Sequence, residues 1–169
     1  IYRRALEDDL IRGRSIEGMA SGACYAACRK NGVPRSLSEV AAISRVEEGE
    51  IGRAYRYIVQ ELDLKMVPMT PQTYVPRLCS SLDLSEGVQR TAIRILEEST
   101  EAGLHSGKSP PGFAGAAVYL AAKWCDEERY QSEVAEAANV TDVTIRSHYG
   151  DLETFFEDEE HDVQPILTP

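Results

Sequence analysis

The sequence predicts an all-α protein built from two copies of one helical unit, and three observations carry that prediction. The first is self-similarity at a fixed offset of 94 residues. Gly13, Ser15, Gly18, Ala20, Ala23, Tyr25 and Ala27 recur as Gly107, Ser109, Gly112, Ala114, Ala117, Tyr119 and Ala121. Arg35, Ser38, Glu39, Val40, Ala41, Val46, Ile51 and Tyr55 recur as Arg129, Ser132, Glu133, Val134, Ala135, Val140, Ile145 and Tyr149. These are fifteen identities in the 46 aligned positions 13 to 58, without a gap. The second observation is helical spacing of apolar residues, as in Val88, Ala92, Ile95 and Leu96. The third is a helix-turn-helix pattern over Gln131–Gly150, QSEVAEAANVTDVTIRSHYG, which Leu37–Arg56 repeats.

Taken in order, the elements follow from local chemistry. Each copy opens on a Gly-basic-Ser start and enters a small-residue helix, Ser15–Arg29 in the first and Ser109–Trp124 in the second. Alanines and glycines there let neighbours approach closely on several sides, so each is expected to be the buried central helix of its unit. Ser36 and Glu39 offer a capping box for a helix over Leu37–Ser44, and Glu48–Leu62 follows. Pro68 and Thr70-Pro71 break helix and mark a linker. Gln72–Leu82 and Ser85–Leu104 then read as two more helices, which gives the second copy five. Shifted back by 94 residues, the first of these falls before residue 1, so the first unit is expected to lack its first helix and part of its second. The expected boundaries are 1–67 for the first unit, 68–71 for the linker, 72–156 for the second unit and 157–169 for an acidic, frayed tail.

Within Gln131–Gly150, Val134, Ala135 and Ala138 share one face of a short helix, and Ala135 is small enough for a second helix to cross it. Asn139 sits at the turn, because asparagine tolerates the left-handed conformation best among non-glycine residues. Val140 fills the angle, and Thr141 or Asp142 can cap the second helix. Ile145 and Tyr149 face inward, which leaves Val143, Thr144, Arg146 and Ser147 outward. An arginine fork, a hydroxyl and an apolar contact suit a major groove. Packing alone is the competing reading of such a helix pair.

Charge and composition narrow the classes. The net charge of -10 opposes DNA binding in ordinary salt, because phosphate contacts need Lys and Arg. The charge is uneven: residues 1–70 hold 11 Lys plus Arg against 10 Asp plus Glu, and residues 71–169 hold 7 against 18. Only four cations are lysines, and fourteen are arginines, the type that grips phosphate and guanine in bidentate fashion. An acidic, lysine-poor composition also matches a protein of a high-salt cytoplasm, where a screening length of about 3 Å at molar salt lets acidic surface repel DNA little. No apolar run is long enough for a membrane span and no signal-peptide pattern is present, so a soluble protein of the cytoplasm, or an excised fragment of one, is expected; a monomer is expected as well. Cys24 and Cys28 have core spacing, and with Cys79 and Cys125 they complete no zinc site. His105, His148 and His161 have neither nucleophile nor metal partners, so no catalysis and no cofactor are expected. Of the three, His148 alone is a candidate for touching DNA.

The phrases LIRGRSIEGMASGACYAACRKNGVPRSLSEVAAISRVEEGEIGRAYRYIVQEL and SGKSPPGFAGAAVYLAAKWCDEERYQSEVAEAANVTDVTIRSHY closely resemble the core domain of archaeal transcription factor B, a relative of eukaryotic transcription factor IIB. The resemblance covers nearly the whole chain and implies two cyclin-like repeats that grip the complex of TATA-binding protein and promoter DNA and help recruit RNA polymerase. It implies that Val143, Thr144 and Arg146 touch base edges of the element upstream of the TATA box. It further implies that Arg12, Gly13 and Arg14, with Gly107, Lys108 and Ser109, contact the DNA backbone, and that Arg29 lies near the TATA-binding protein. Helix starts with free amides and a cation suit phosphate in both loops. Glu48 and Gly49 stand where eukaryotic relatives have basic residues, which puts a backbone contact there in doubt. The family's zinc ribbon and reader segment are absent from this chain, which has no CxxC pair, so it is expected to bind the promoter complex without supporting initiation. The alternative is a cyclin-type protein-interaction module that does not read DNA, and the acidic second copy favours it.

Overall fold

The computed structural model describes residues 1–157, in which nine α-helices and one 3₁₀ turn are found and no strand. The chain divides into two compact units, Ile1–Met69 and one beginning at Thr70. The first holds α1 (Tyr2–Glu7), α2 (Ile16–Lys30), α3 (Leu37–Ile43) and α4 (Glu48–Glu61). The second holds the 3₁₀ turn Pro71–Tyr74, α5 (Val75–Ser81), α6 (Glu86–Glu101), α7 (Pro110–Trp124), α8 (Gln131–Ala138) and α9 (Asp142–Glu157).

Small residues let the central helix of each unit meet the last one. A Cβ at Gly22 of α2 would lie 2.8 Å from the Ala54 Cβ and 2.9 Å from the Tyr55 backbone nitrogen. One at Gly115 of α7 would lie 2.7 Å from the Ile145 Cδ1, and one at Gly112 lies 2.8 Å from the Thr144 Cγ2. Around these crossings the repeat reproduces an aromatic contact, with Tyr25 edge-on to Tyr55 at 4.9 Å and Tyr119 edge-on to Tyr149 at 5.0 Å. Such pairs add about 0.5–1.5 kcal/mol beyond their buried area.

Seven of the nine helices stop in one way. Asp9, Gly32, Asp63, Asp83, Gly103, Asp126 and Asn139 all have positive φ just past a helix end. The next residue then donates its N–H back into the last turn, as Leu64 to the Val59 carbonyl and Val140 to the Ala135 carbonyl, both near 3 Å. This is the glycine-type stop in which a left-handed residue lets the chain fold back and satisfy an orphan carbonyl. Aspartate fills the position four times in this acid-rich chain.

The structure refines the sequence reading at several places. The helix expected over Gln72–Leu82 is split, because Pro76 has no N–H to continue a helix begun at Pro71, so a 3₁₀ turn precedes α5. The two helix pairs do not turn alike. Asn139 is left-handed at φ 54, whereas Arg45 stands there in the first unit and α3 ends one residue earlier, with Ser44 extended at ψ 166. A long side chain carries the left-handed penalty that asparagine largely escapes. The central helix is buried all round only in the second unit. Ala114 and Val118 lie under α5 and α6, whereas their counterparts Ala20 and Cys24 are exposed, and Cys28 is half-buried, so the cysteine pair is not in a core. α9 continues through Gly150 to Glu157, burying Leu152 and setting Phe156 edge-on to Trp124 at 5.5 Å. The tail expected from residue 157 therefore starts inside α9, and its remainder lies outside the described residues, as does His161.

Two substitutions test this packing. Gly22→Ala should destabilise the first unit by about 1–3 kcal/mol in urea denaturation, since its Cβ strikes backbone. Gly115→Ala should be near neutral, because the Ile145 methyl can move and alanine gains about 1 kcal/mol of helix propensity. At the helix-pair turn, Asn139→Gly should stay within about 0.5 kcal/mol and Asn139→Ala should lose about 1 kcal/mol by the same measurement.

Candidate nucleic-acid interface

The outward face of α9 is prepared by what lies beneath it. Ile145 is fully buried against Val134 and Ala135, so Val143, two positions before it on the helix, is directed away from the unit. Thr141 caps the helix, accepting the Thr144 N–H at 3.2 Å. Farther along, the Lys123 Nζ donates to the Tyr149 hydroxyl oxygen at 2.7 Å and to Glu153 at 3.2 Å, and the Tyr149 hydroxyl donates to the same carboxylate. These bonds hold the lysine pKa well above its ordinary value, while burial raises that of Tyr149 and its hydroxyl lowers that of Glu153. α9 is thereby locked to α7 by a charged and polar link in addition to its apolar contacts.

On this footing Val143 is 71% exposed and Arg146 is exposed beside it. Thr144 is placed differently. It is half-buried, its methyl toward Gly112 and its hydroxyl 2.9 Å from that of Thr141. Arg146 borders an open hollow of about 720 Å³ that Tyr130, Gln131, Glu133 and Asp142 also line. Tyr130, 78% exposed, is the residue the sequence reading missed. Its signal lay in the repeat: it stands where the first unit has the capping Ser36. Ser36 accepts the Glu39 N–H at 3.1 Å and donates its own N–H to that carboxylate, whereas at Tyr130 the Glu133 carboxylate accepts the backbone N–H and the ring projects outward. Arg129 anchors the start of α8 by donating to the carbonyls of Leu82 at 3.0 Å and Asp83 at 2.9 Å.

His148, named as a candidate for DNA contact, is instead half-buried between α7 and α9, its ring edge-on to Phe113 at 6.2 Å. Burial, aided by Lys108, lowers its pKa below the ordinary histidine value. That place is structural.

The two Gly-basic-Ser loops share a backbone and differ in their cations. Gly13 and Gly107 have φ of 73 and 74, a conformation that glycine adopts without penalty. Ser15 then caps α2 by accepting the Gly18 N–H at 3.0 Å, and Ser109 occupies the same place before α7 without making that bond. Arg12 is exposed and 3.7 Å from Asp9. The Arg14 guanidinium lies over the Tyr57 ring, 3.6 Å from its centre. Lys108 is folded back: its Nζ donates to the Leu104 carbonyl at 2.7 Å and pairs with Asp151 at 3.0 Å. Arg29 ends α2 half-buried, 3.4 Å from the Tyr25 hydroxyl oxygen and 6.0 Å from that ring's centre. The residues from each unit are thus grouped locally: Arg146 and Tyr130 border one hollow, with Val143 exposed on α9, Lys108 and Ser109 stand at the start of α7, and Arg12, Gly13 and Arg14 at the start of α2.

Among the described residues no group of three or more His, Cys, Asp or Glu is placed to hold a metal, and no helix is long and apolar enough to cross a membrane. The Cys79 thiol is pushed up to about 11 by burial, away from the range of a reactive cysteine.

Comparison with known proteins gives these features a family. The chain matches the family described as Transcription factor TFIIB repeat over residues 1–61 and 64–154. It is 61% identical over 149 residues to "Transcription initiation factor IIB 7" of Halobacterium salinarum, covering 88% of this chain and 46% of that one. It is 54% identical over 152 residues to "Transcription initiation factor IIB" of Archaeoglobus fulgidus, covering 90% and 47%. It is 50% identical over 167 residues to the protein of the same name from Methanosarcina mazei, covering 99% and 48%. The chain spans about half the length of the curated relatives it matches. The match falls in two segments, and the helices are those of a cyclin-like all-α fold. The chain therefore belongs to the transcription factor TFIIB repeat family.

Proposed function

We propose that this chain is the promoter-binding core of a general transcription initiation factor, non-catalytic, which engages the complex of TATA-binding protein and DNA and helps recruit RNA polymerase. The observation that carries the reading is the outward pair Val143 and Arg146 on a locked, capped α9, in a chain whose relatives are named initiation factors. An arginine fork matches the O6 and N7 acceptors of guanine, and the valine methyls match a thymine methyl. In the first unit the same positions are Gly49 and Gly52, which offer neither. Base reading is thus assigned to the second unit, and Thr144 joins it through its cap and its hydroxyl. Arg12, Gly13 and Arg14, with Gly107, Lys108 and Ser109, hold backbone phosphate, and Arg29 faces the TATA-binding protein. Halophilic relatives fit the acidic surface, because short screening lengths confine electrostatics to direct contacts.

The second reading, a protein-interaction module of cyclin type, is favoured by the acidity around Arg146, where Asp142 and Glu133 border the same hollow. A band-shift with TATA-binding protein and promoter DNA at high salt separates the two. A ternary complex is expected, and none would form for the interaction module. Arg146→Ala should weaken binding to DNA carrying the upstream element by about 1–3 kcal/mol, roughly 5- to 150-fold, and leave DNA lacking it nearly unaffected. Equal loss on both DNAs would assign Arg146 to the backbone instead.

A further inference from the structure

We propose that Asp151 competes with DNA phosphate for Lys108 and so sets how strongly the loop before α7 holds the backbone. The proposal rests on the promoter-binding reading above. Lys108 is the cation of its loop, yet its side chain is only 17% exposed, paired with Asp151 at 3.0 Å and donating to the Leu104 carbonyl at 2.7 Å. Asp151 is half-exposed, and both residues border an open hollow with Leu104, Thr154 and Phe155, so an incoming anion can reach the pair from solvent.

The repeat supplies the comparison. Shifted by 94 residues, Lys108 is Arg14 and Asp151 is Tyr57. Arg14 also folds onto the last helix of its unit, and there it lies over an uncharged ring at 3.6 Å, with Glu50 bordering the same hollow. A carboxylate in the place of Tyr57 neutralises the second loop. An anion that takes Lys108 must therefore displace Asp151 and leave that carboxylate beside it. Arg14 of the first loop leaves a ring to reach an anion, whereas Lys108 of the second must exchange one carboxylate for another anion. Phosphate contacts carry no sequence information. Weakening the second loop therefore shifts the second unit's share of binding onto the α9 face, where bases are read.

The test uses the whole chain with TATA-binding protein and promoter DNA across a potassium chloride series. Asp151→Asn should tighten binding and steepen the slope of log K against log salt by up to about 0.9, the value for one added phosphate contact. The preference for DNA with the upstream element should stay unchanged. Asp151→Glu should behave as the starting protein, and Lys108→Gln combined with Asp151→Asn should show no gain over Lys108→Gln alone. Thermal melting of each variant confirms that the second unit remains folded. An unchanged affinity and slope for Asp151→Asn in an intact complex would overturn the proposal, as would a gain that persists without Lys108. Absence of a complex with the starting protein would instead overturn the promoter-binding reading, and this inference with it.

Discussion

The close crossing of each unit's central helix on its last helix is the constraint from which the rest follows. Where Gly22 meets Ala54 and Gly115 meets Ile145, there is no room for one more methyl without movement. Closeness at that point sets the axis of the last helix, and the edge-on tyrosine pairs fix its rotation. In the second unit that helix is α9, so glycines in the middle of α7 help set the direction in which Arg146 points. Interiors at this density transmit small displacements instead of absorbing them.

The repeat and its departures divide stability from function. What the copies share serves the fold: the small-residue helix, the tyrosine pair, the glycine-supported loop and the left-handed helix stops. Several of the positions they do not share lie on the faces assigned to DNA. Gly49 and Gly52 face Val143 and Arg146, Ser36 faces Tyr130, and Tyr57 faces Asp151 across the alignment. A duplicated scaffold tolerates such changes because exposed side chains cost the fold little, whereas a methyl at Gly22 costs it much. The Lys123, Tyr149 and Glu153 link belongs to the second group as well, since Val59 stands at the place of Glu153. The unit assigned to base reading is the one with the extra lock on its last helix.

Acidity shapes both fold and site. Aspartate takes the left-handed position after α1, α4, α5 and α7, where glycine has no side chain to strain and asparagine no charge to oppose the helix dipole. The chain accepts that local cost at Asp9, Asp63, Asp83 and Asp126. In the site the same bias places Asp142, Glu133 and Asp151 near the few cations, so affinity must come from direct, well-fitted contacts and not from a long-range field.

The sequence by itself determined the class, the repeat, the helix pair and the outward places of Val143 and Arg146 on α9, though not that of Thr144, because 3.6-residue periodicity and turn chemistry are local properties. Asn139 announced a left-handed turn and adopts one. Local reasoning could not decide which surfaces a neighbour covers. Cys24 and Val118 are equivalent in the repeat, yet one is exposed and the other buried, since α5 and α6 lie over only the second. His148 looked like an exposed residue of a reading helix and is packed against Phe113 instead. Lys108 looked like a free loop cation, and the end of α9 brings Asp151 to it from 43 residues away in the chain. Charge pairing of that kind depends on distances through space, and those exist only once the helices have crossed.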